Sequence, residues 1–373
     1  MRSSSEGPFS NADIQQDQTM LVLDTGRSGW VWTVAFHPDG KHVLGGNGDG
    51  IRRWRLADGL EVGKQTGMVM QAISVSSDDQ WIVCGTDGAG ASVWDGKLQE
   101  KVIDVEGEST VDAVDVSPDS TRLATGTRDG EASIWSIPSG ERLVGPLKHS
   151  DAGDTNWVTG IRFSSTGEQI ATACNTRIHI FDSRTGDELV TINSTVGLGW
   201  GATTAIAWSP SDGQQIFAAS SDGKIRAFDA STGAQLTESQ VLHDDNVRVP
   251  SIALAANSKF IAALASNSIL FLDTYTLARI GPIIEEGKQM WSVAISPDSI
   301  HFATGGVDGK IIIRDLAKIL PESYTGPFDV SICSSPRFIF NVDKLCRYQL
   351  DNKSYKRSSL QLQVTRMPKY LAQ

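Results

Sequence analysis

Val111-Asp-Ala-Val-Asp-Val-Ser-Pro-Asp-Ser, then Arg122-Leu-Ala-Thr-Gly-Thr-Arg-Asp-Gly, then Glu131-Ala-Ser-Ile-Trp135 is the stretch whose reading decides the fold. It holds three short runs of β-type side chains. A Ser-Pro-Asp turn divides the first two runs and an Asp-Gly turn divides the last two. Pro118 has no N–H to give to a ladder, and Asp129-Gly130 suits a tight hairpin. The stretch therefore reads as three antiparallel strands.

The same pattern recurs about seven times, roughly every 39–47 residues, a spacing typical of radial β architectures. The turn after the first strand falls at Pro38, Ser77, Pro118, Ser165, Pro210, Ala256 and Pro297. An alternating apolar run precedes each turn, as in Val34-Ala-Phe36 and Ile161-Arg-Phe163. A small-residue strand and a hairpin follow, at Asp49, Asp87, Asp129, Asn175, Asp222, Asn267 and Asp308. Each copy closes on a large residue: Trp54, Trp94, Trp135, Phe181, Phe228, Leu272 and Arg314. Asp follows in Trp94-Asp95, Phe181-Asp182, Phe228-Asp229 and Leu272-Asp273. Arg314 breaks the series and is expected to reach solvent or an acidic partner.

In this phased order of strand, turn, strand, Asp-Gly, strand and aromatic-Asp, residues 20–325 resemble the WD40 repeat family. The resemblance implies an all-β fold, a seven-bladed β-propeller whose four-stranded blades surround a central channel. In such a fold the outer strand of a blade is written at the start of the next repeat. The β-type run Thr19-Met-Leu-Val-Leu-Asp24 then has no earlier blade to serve, and is expected to pair with Lys310-Ile-Ile-Ile-Arg314 and close the ring. The resemblance also implies a hydrogen-bonded tetrad of His, Ser or Thr, Asp and Trp in each blade. Thr125, Asp129 and Trp135 match three of its positions in the third repeat, and only His149 and His243 stand where its histidine is expected.

Outside the repeats, residues 1–19 are polar and read as a disordered tail. Residues 326–373 read as an irregular extension with a basic end (Lys353, Lys356, Arg357, Arg366, Lys369). The alternative is an eighth, degenerate blade, because Arg337-Phe-Ile-Phe and Leu350-Asp351 echo Lys259-Phe-Ile-Ala and Leu272-Asp273. Long linkers at 147–156 and 193–201 are expected on one end of the propeller, and repeat six is the most degenerate.

Of 373 residues, Lys and Arg supply 33 and Asp and Glu 44, for a net charge of −11. That balance argues against broad binding to nucleic acid or an acidic membrane face. No apolar run approaches the roughly 18 residues of a membrane helix, and Met1-Arg-Ser-Ser-Ser lacks a secretory apolar segment. Cys84, Cys174, Cys333 and Cys346 show no close pairing and no zinc-type spacing. An intracellular protein with reduced thiols is expected, cytoplasmic rather than nuclear.

No nucleophile elbow, metalloprotease helix motif or phosphate loop is present in the sequence. Gly45-Gly-Asn-Gly-Asp-Gly50 sits at a hairpin, not before a helix, and the histidines, including His37, His42, His179 and His301, are scattered along the chain. No catalytic residue, metal or cofactor is expected. The binding signal is aromatic. Trp30, Trp32, Trp157 and Trp291 stand where first strands begin, on the face the resemblance marks for partners, and Arg128 and Arg248 fall on comparable loops. Trp and Arg each bring large contact area with a polar handle. The expected function is a non-catalytic scaffold for a protein or peptide, a monomeric propeller within a larger assembly. The rival is a propeller enzyme of hydrolase or lyase type with its site in the channel.

Overall fold

The structure is a computed structural model. It describes residues 19–26, 29–88, 90–107, 109–147, 149, 157–174, 177–193, 203–210, 213–220, 222–242 and 249–325. The expected tail before residue 19, the extension or eighth repeat over 326–373, Arg248 and His243 lie outside the described residues. So do residues 150–156 and 194–202 of the linkers.

Among the described residues, twenty-eight strands form seven four-stranded antiparallel sheets. Blade one runs Val31–Phe36, His42–Asn47, Gly50–Arg55 and Glu61–Thr66 in spatial as in chain order, and blades two to six repeat this. Blade seven takes Met290–Ile295, His301–Gly306 and Lys310–Asp315 from the end of the series. Its fourth strand is Thr19–Asp24, which runs antiparallel to the third with Leu21 opposite Ile313 and Asp24 opposite Lys310. No helix of the described residues is long and apolar enough to cross a membrane.

The core is not central. It is divided into seven clusters, each straddling two neighbouring blades. Leu23, Ala303, Ile311 and Ile313 of blade seven meet Val31, Val34, Val43 and Trp54 of blade one in the same way that blade two meets blade three. Trp81 packs in that second seam. Second strands are sandwiched between sheets and so are buried along their length, Phe260–Ala265 completely. Outer strands alternate and expose Val62, Val102, Leu189 and Leu236.

The seams demand small residues at one place. The fifth residue of the second strand is Gly46, Gly85, Gly126, Ala173, Ala219 or Gly305 in six blades, and Leu264 in blade six. A Cβ at Gly126 would lie 2.4 Å from Val158 Cγ1 of the next blade, and one at Gly305 would lie 2.5 Å from Val31 Cγ1. First strands of successive blades touch all the way round, blade seven's meeting blade one's. Hydrogen bonds join them: Phe163 N donates to Asp115 Oδ2 at 2.8 Å, and Val34 N donates to Ser292 Oγ at 3.0 Å.

The turns explain the Ser-Pro-Asp signal. Ser117 Oγ donates to Asp119 Oδ1 (2.5 Å) and accepts from Arg122 N (3.0 Å). Ser76 and Ser296 do the same in blades two and seven. The next turn position is left-handed in all seven blades: Gly40, Asp79, Ser120, Gly167, Gly213, Ser258 and Ser299. Glycine takes that conformation without steric cost, and short polar side chains are among the few others that visit it.

Arg314 does not reach solvent. It is 4% exposed and pairs with Glu286 through both guanidinium nitrogens, one contact at 3.0 Å. A buried aromatic has been exchanged for a buried ion pair, tolerable only because both partners are present.

We predict that Gly305→Val lowers stability by about 1–3 kcal/mol through overpacking. Gly48→Ala, whose Cβ would meet nothing within 4 Å, should leave the denaturation midpoint unchanged. Equal midpoints for the two variants would contradict the seam packing.

Candidate functional site

Every first strand except that of blade six begins with a bulge, in which one residue is skipped by the ladder. In blade one Val31 faces Asn47 and Thr33 faces Gly46, so Trp32 is the extra residue. The same place is held by Gln71, Asp112, Thr159, Thr204 and Trp291. A bulge bends the strand and redirects one side chain. Because first strands line the ring's inner side, these six residues stand at one end of it. Blades seven and one are neighbours, and both put tryptophan there.

The result is a packed trio. Trp30 and Trp32 meet edge to face at 5.0 Å between ring centroids, Trp32 and Trp291 at 5.6 Å, and Trp30 stacks on Trp291 at 6.0 Å. Such pairs add about 0.5–1.5 kcal/mol each beyond area burial. Trp30 is 48% exposed, while Trp32 and Trp291 are half-buried. The buried Trp291 Nε1 has no hydrogen-bond partner among the described residues. The trio thus offers a wide apolar face backed by one unused donor.

A second group lies between blades three and four. Arg128 forks onto the bulge residue Asp112 (Nε–Oδ2 3.0 Å, Nη2–Oδ1 2.7 Å) and lies over Trp157, 4.8 Å from its ring centroid. Asp112 raises the affinity of this guanidinium for its proton, against some loss from burial. The structure therefore brings Trp30, Trp32 and Trp291 together, joins Arg128 to Trp157, and sets the two groups on different seams. Sequence reading missed Asp112. Its one signal was that it occupies the same repeat position as Trp32 and Trp291.

The tetrad needs correction. Trp135 Nε1 donates to Thr125 Oγ1 at 2.9 Å, as expected. Asp129, however, is exposed and only accepts from Thr127 Oγ1. Among the described residues no histidine bonds to it. A cleft of about 300 Å³, lined by Thr125, Asp129, Ser133 and Trp135, opens there instead. The histidine half survives one blade on. His149 Nε2 lies 3.0 Å from Thr172 Oγ1, in the blade whose closing residue is Phe181, not Trp. Burial and the neighbouring His179 lower the His149 pKa to about 4, so the ring is neutral at pH 7. Burial also pushes the Cys174 thiol up to about 12 and raises that of Cys84. Neither is a ready nucleophile.

Comparison with known proteins agrees with this fold. The family model for the WD domain, G-beta repeat (WD40) matches residues 18–54, 99–136, 145–182 and 283–315. The Cps50 (Swd1) β-propeller domain of Myceliophteria thermophila is structurally similar, with a TM-score of 0.68. The chain is a WD40-repeat β-propeller. The structural likeness covers 79% of this chain and 99% of that one at 18% identity, and concerns the fold. Autophagy-related protein 16 of Arabidopsis thaliana is 28% identical over 181 residues, 47% of this chain and 34% of that protein. Intraflagellar transport protein 122 homolog of Xenopus tropicalis is 22% identical over 290 residues, 77% of this chain and 23% of that protein. The chain spans only a third or less of these curated relatives. The matched WD40 segments contain Trp30, Trp32, Thr125, Arg128, Asp129, Trp135, Trp157 and Trp291.

We predict that Thr125→Val, which strands the Trp135 N–H, costs about 1–3 kcal/mol. Asp129→Ala should cost no more than about 0.5 kcal/mol, as at other exposed positions. Urea denaturation compares them, and a larger loss at Asp129 would restore the tetrad.

Proposed function

We propose that this propeller is a non-catalytic intracellular scaffold that captures a protein or peptide on the face bearing Trp30, Trp32 and Trp291. One observation carries the reading. Bulges in two adjacent blades set three tryptophans against each other with the outermost ring half exposed. Exposed clustered aromatics are costly in water unless a partner covers them. Trp157, 36% exposed beside Arg128, extends the same end of the ring as a secondary contact. The net charge of −11 supports a protein partner over nucleic acid. The curated relatives are named for autophagy and intraflagellar transport, not for a reaction.

The test is a quantitative pull-down with the wild type and with Trp30→Ala/Trp291→Ala. Partners are expected to be lost from the double variant, while its melting temperature stays within about 4 °C of wild type. Capture that survives both substitutions, or collapse of the fold, would assign the tryptophans to packing.

A further inference from the structure

We propose that the turn of blade one is a metal site, in which His37 Nδ1, Asp39 Oδ2 and His42 Nδ1 bind a divalent cation of the zinc class, with Asp79 of blade two as the adjacent fourth donor. The place is unusual within the repeat. Its counterparts are Ser76, Ser117, Ser164, Ser209 and Ser296, with Ala255 in blade six, all buried. Blade one puts His37 there, 3% exposed.

His37 Nε2 faces the carbonyl oxygen of Gly96 at 3.2 Å. A carbonyl only accepts, so Nε2 carries a proton and Nδ1 is the ring nitrogen turned inward. It points between two carboxylates, Asp39 Oδ2 at 3.3 Å and Asp79 Oδ1 at 3.4 Å. Both His37 Nδ1 and Asp79 Oδ1 are buried and lack a hydrogen-bond partner among the described residues. A shared proton would draw them to about 2.7–2.9 Å. A tetrahedral ion with bonds of about 2.0–2.1 Å instead holds its donors about 3.3–3.4 Å apart, the spacing seen.

His42 completes the donor set. Its Nδ1 lies 2.6 Å from Asp39 Oδ2 and 3.1 Å from Arg53 Nη2. Metal binding replaces these hydrogen bonds and spreads His42 and Asp39 to the ligand spacing. The three ligand atoms already lie within 4.8 Å of one another. Asp39 is held by its other oxygen, which accepts from Lys41 N at 2.7 Å and His42 N at 3.1 Å. Such outer bonds orient metal ligands. Arg53 must release His42 on binding, and Asp95 remains to balance its charge.

Cobalt(II) tests this on the full-length chain after chelator treatment. We expect one Co²⁺ per chain, with the intense visible bands of four-coordinate cobalt, displaced by Zn²⁺. His42→Gln and Asp39→Asn should each weaken Co²⁺ binding at least about tenfold, with circular dichroism unchanged. If one variant fails to fold, the other decides. No saturable visible band in wild type, or a band of undiminished affinity in a folded variant, would overturn the site.

Discussion

The fold depends on a close approach at each seam, where a small residue on one blade's second strand receives the leading side chain of the next blade. Gly126 against Val158 and Gly305 against Val31 are the same contact, met once between blades three and four and again between blades seven and one. No single hydrophobic core exists to stabilise a lone blade. Each sheet buries its faces only because it has two neighbours, so the seven clusters form together. Among the described residues Leu264 of blade six is the exception, packing in one cluster with Met290 at the start of blade seven's first strand.

Blade number and phase were legible in the sequence because the information is local. A Ser-Pro-Asp turn bonds itself within five residues, and a left-handed residue follows it regardless of distant contacts. Pairing of Thr19–Asp24 with Lys310–Asp315 could be read too, because an outer strand written first has no other partner. What failed was chemistry assembled across blades. Asp129 was expected in a hydrogen-bonded tetrad from the resemblance, yet it is exposed and accepts from its neighbour Thr127. For Arg314 an acidic partner was one of two expectations, but its identity, Glu286, 28 residues earlier, could not be read from the repeat. His37 read as one of several scattered histidines because Asp79 and Gly96, which face it, belong to the next blade.

The candidate site follows from the same rigidity. A bulge adds one residue to a strand whose remaining register is locked by a buried seam, so the extra side chain has a fixed direction. Trp32 and Trp291 are pinned by their neighbours, and Trp30 rests on both. Little side-chain freedom is left to lose when a partner arrives, which favours tight recognition. Asp112 uses the equivalent place differently, holding Arg128 over Trp157. One backbone device thus yields two kinds of contact at the same end of the ring.

The central claim is that the wedges form a closed circle fastened by the first strand. Val22 lies directly opposite Ile312 in the fastening pair, and Cα atoms so placed fall within disulfide range. The decisive measurement is oxidation of a Val22→Cys/Ile312→Cys variant in a Cys333→Ser/Cys346→Ser background. The account predicts that the bridge forms under mild oxidant and raises the melting temperature, and that reduction reverses the gain. Thiols that remain reactive after oxidation, or a bridge that lowers stability, would contradict it.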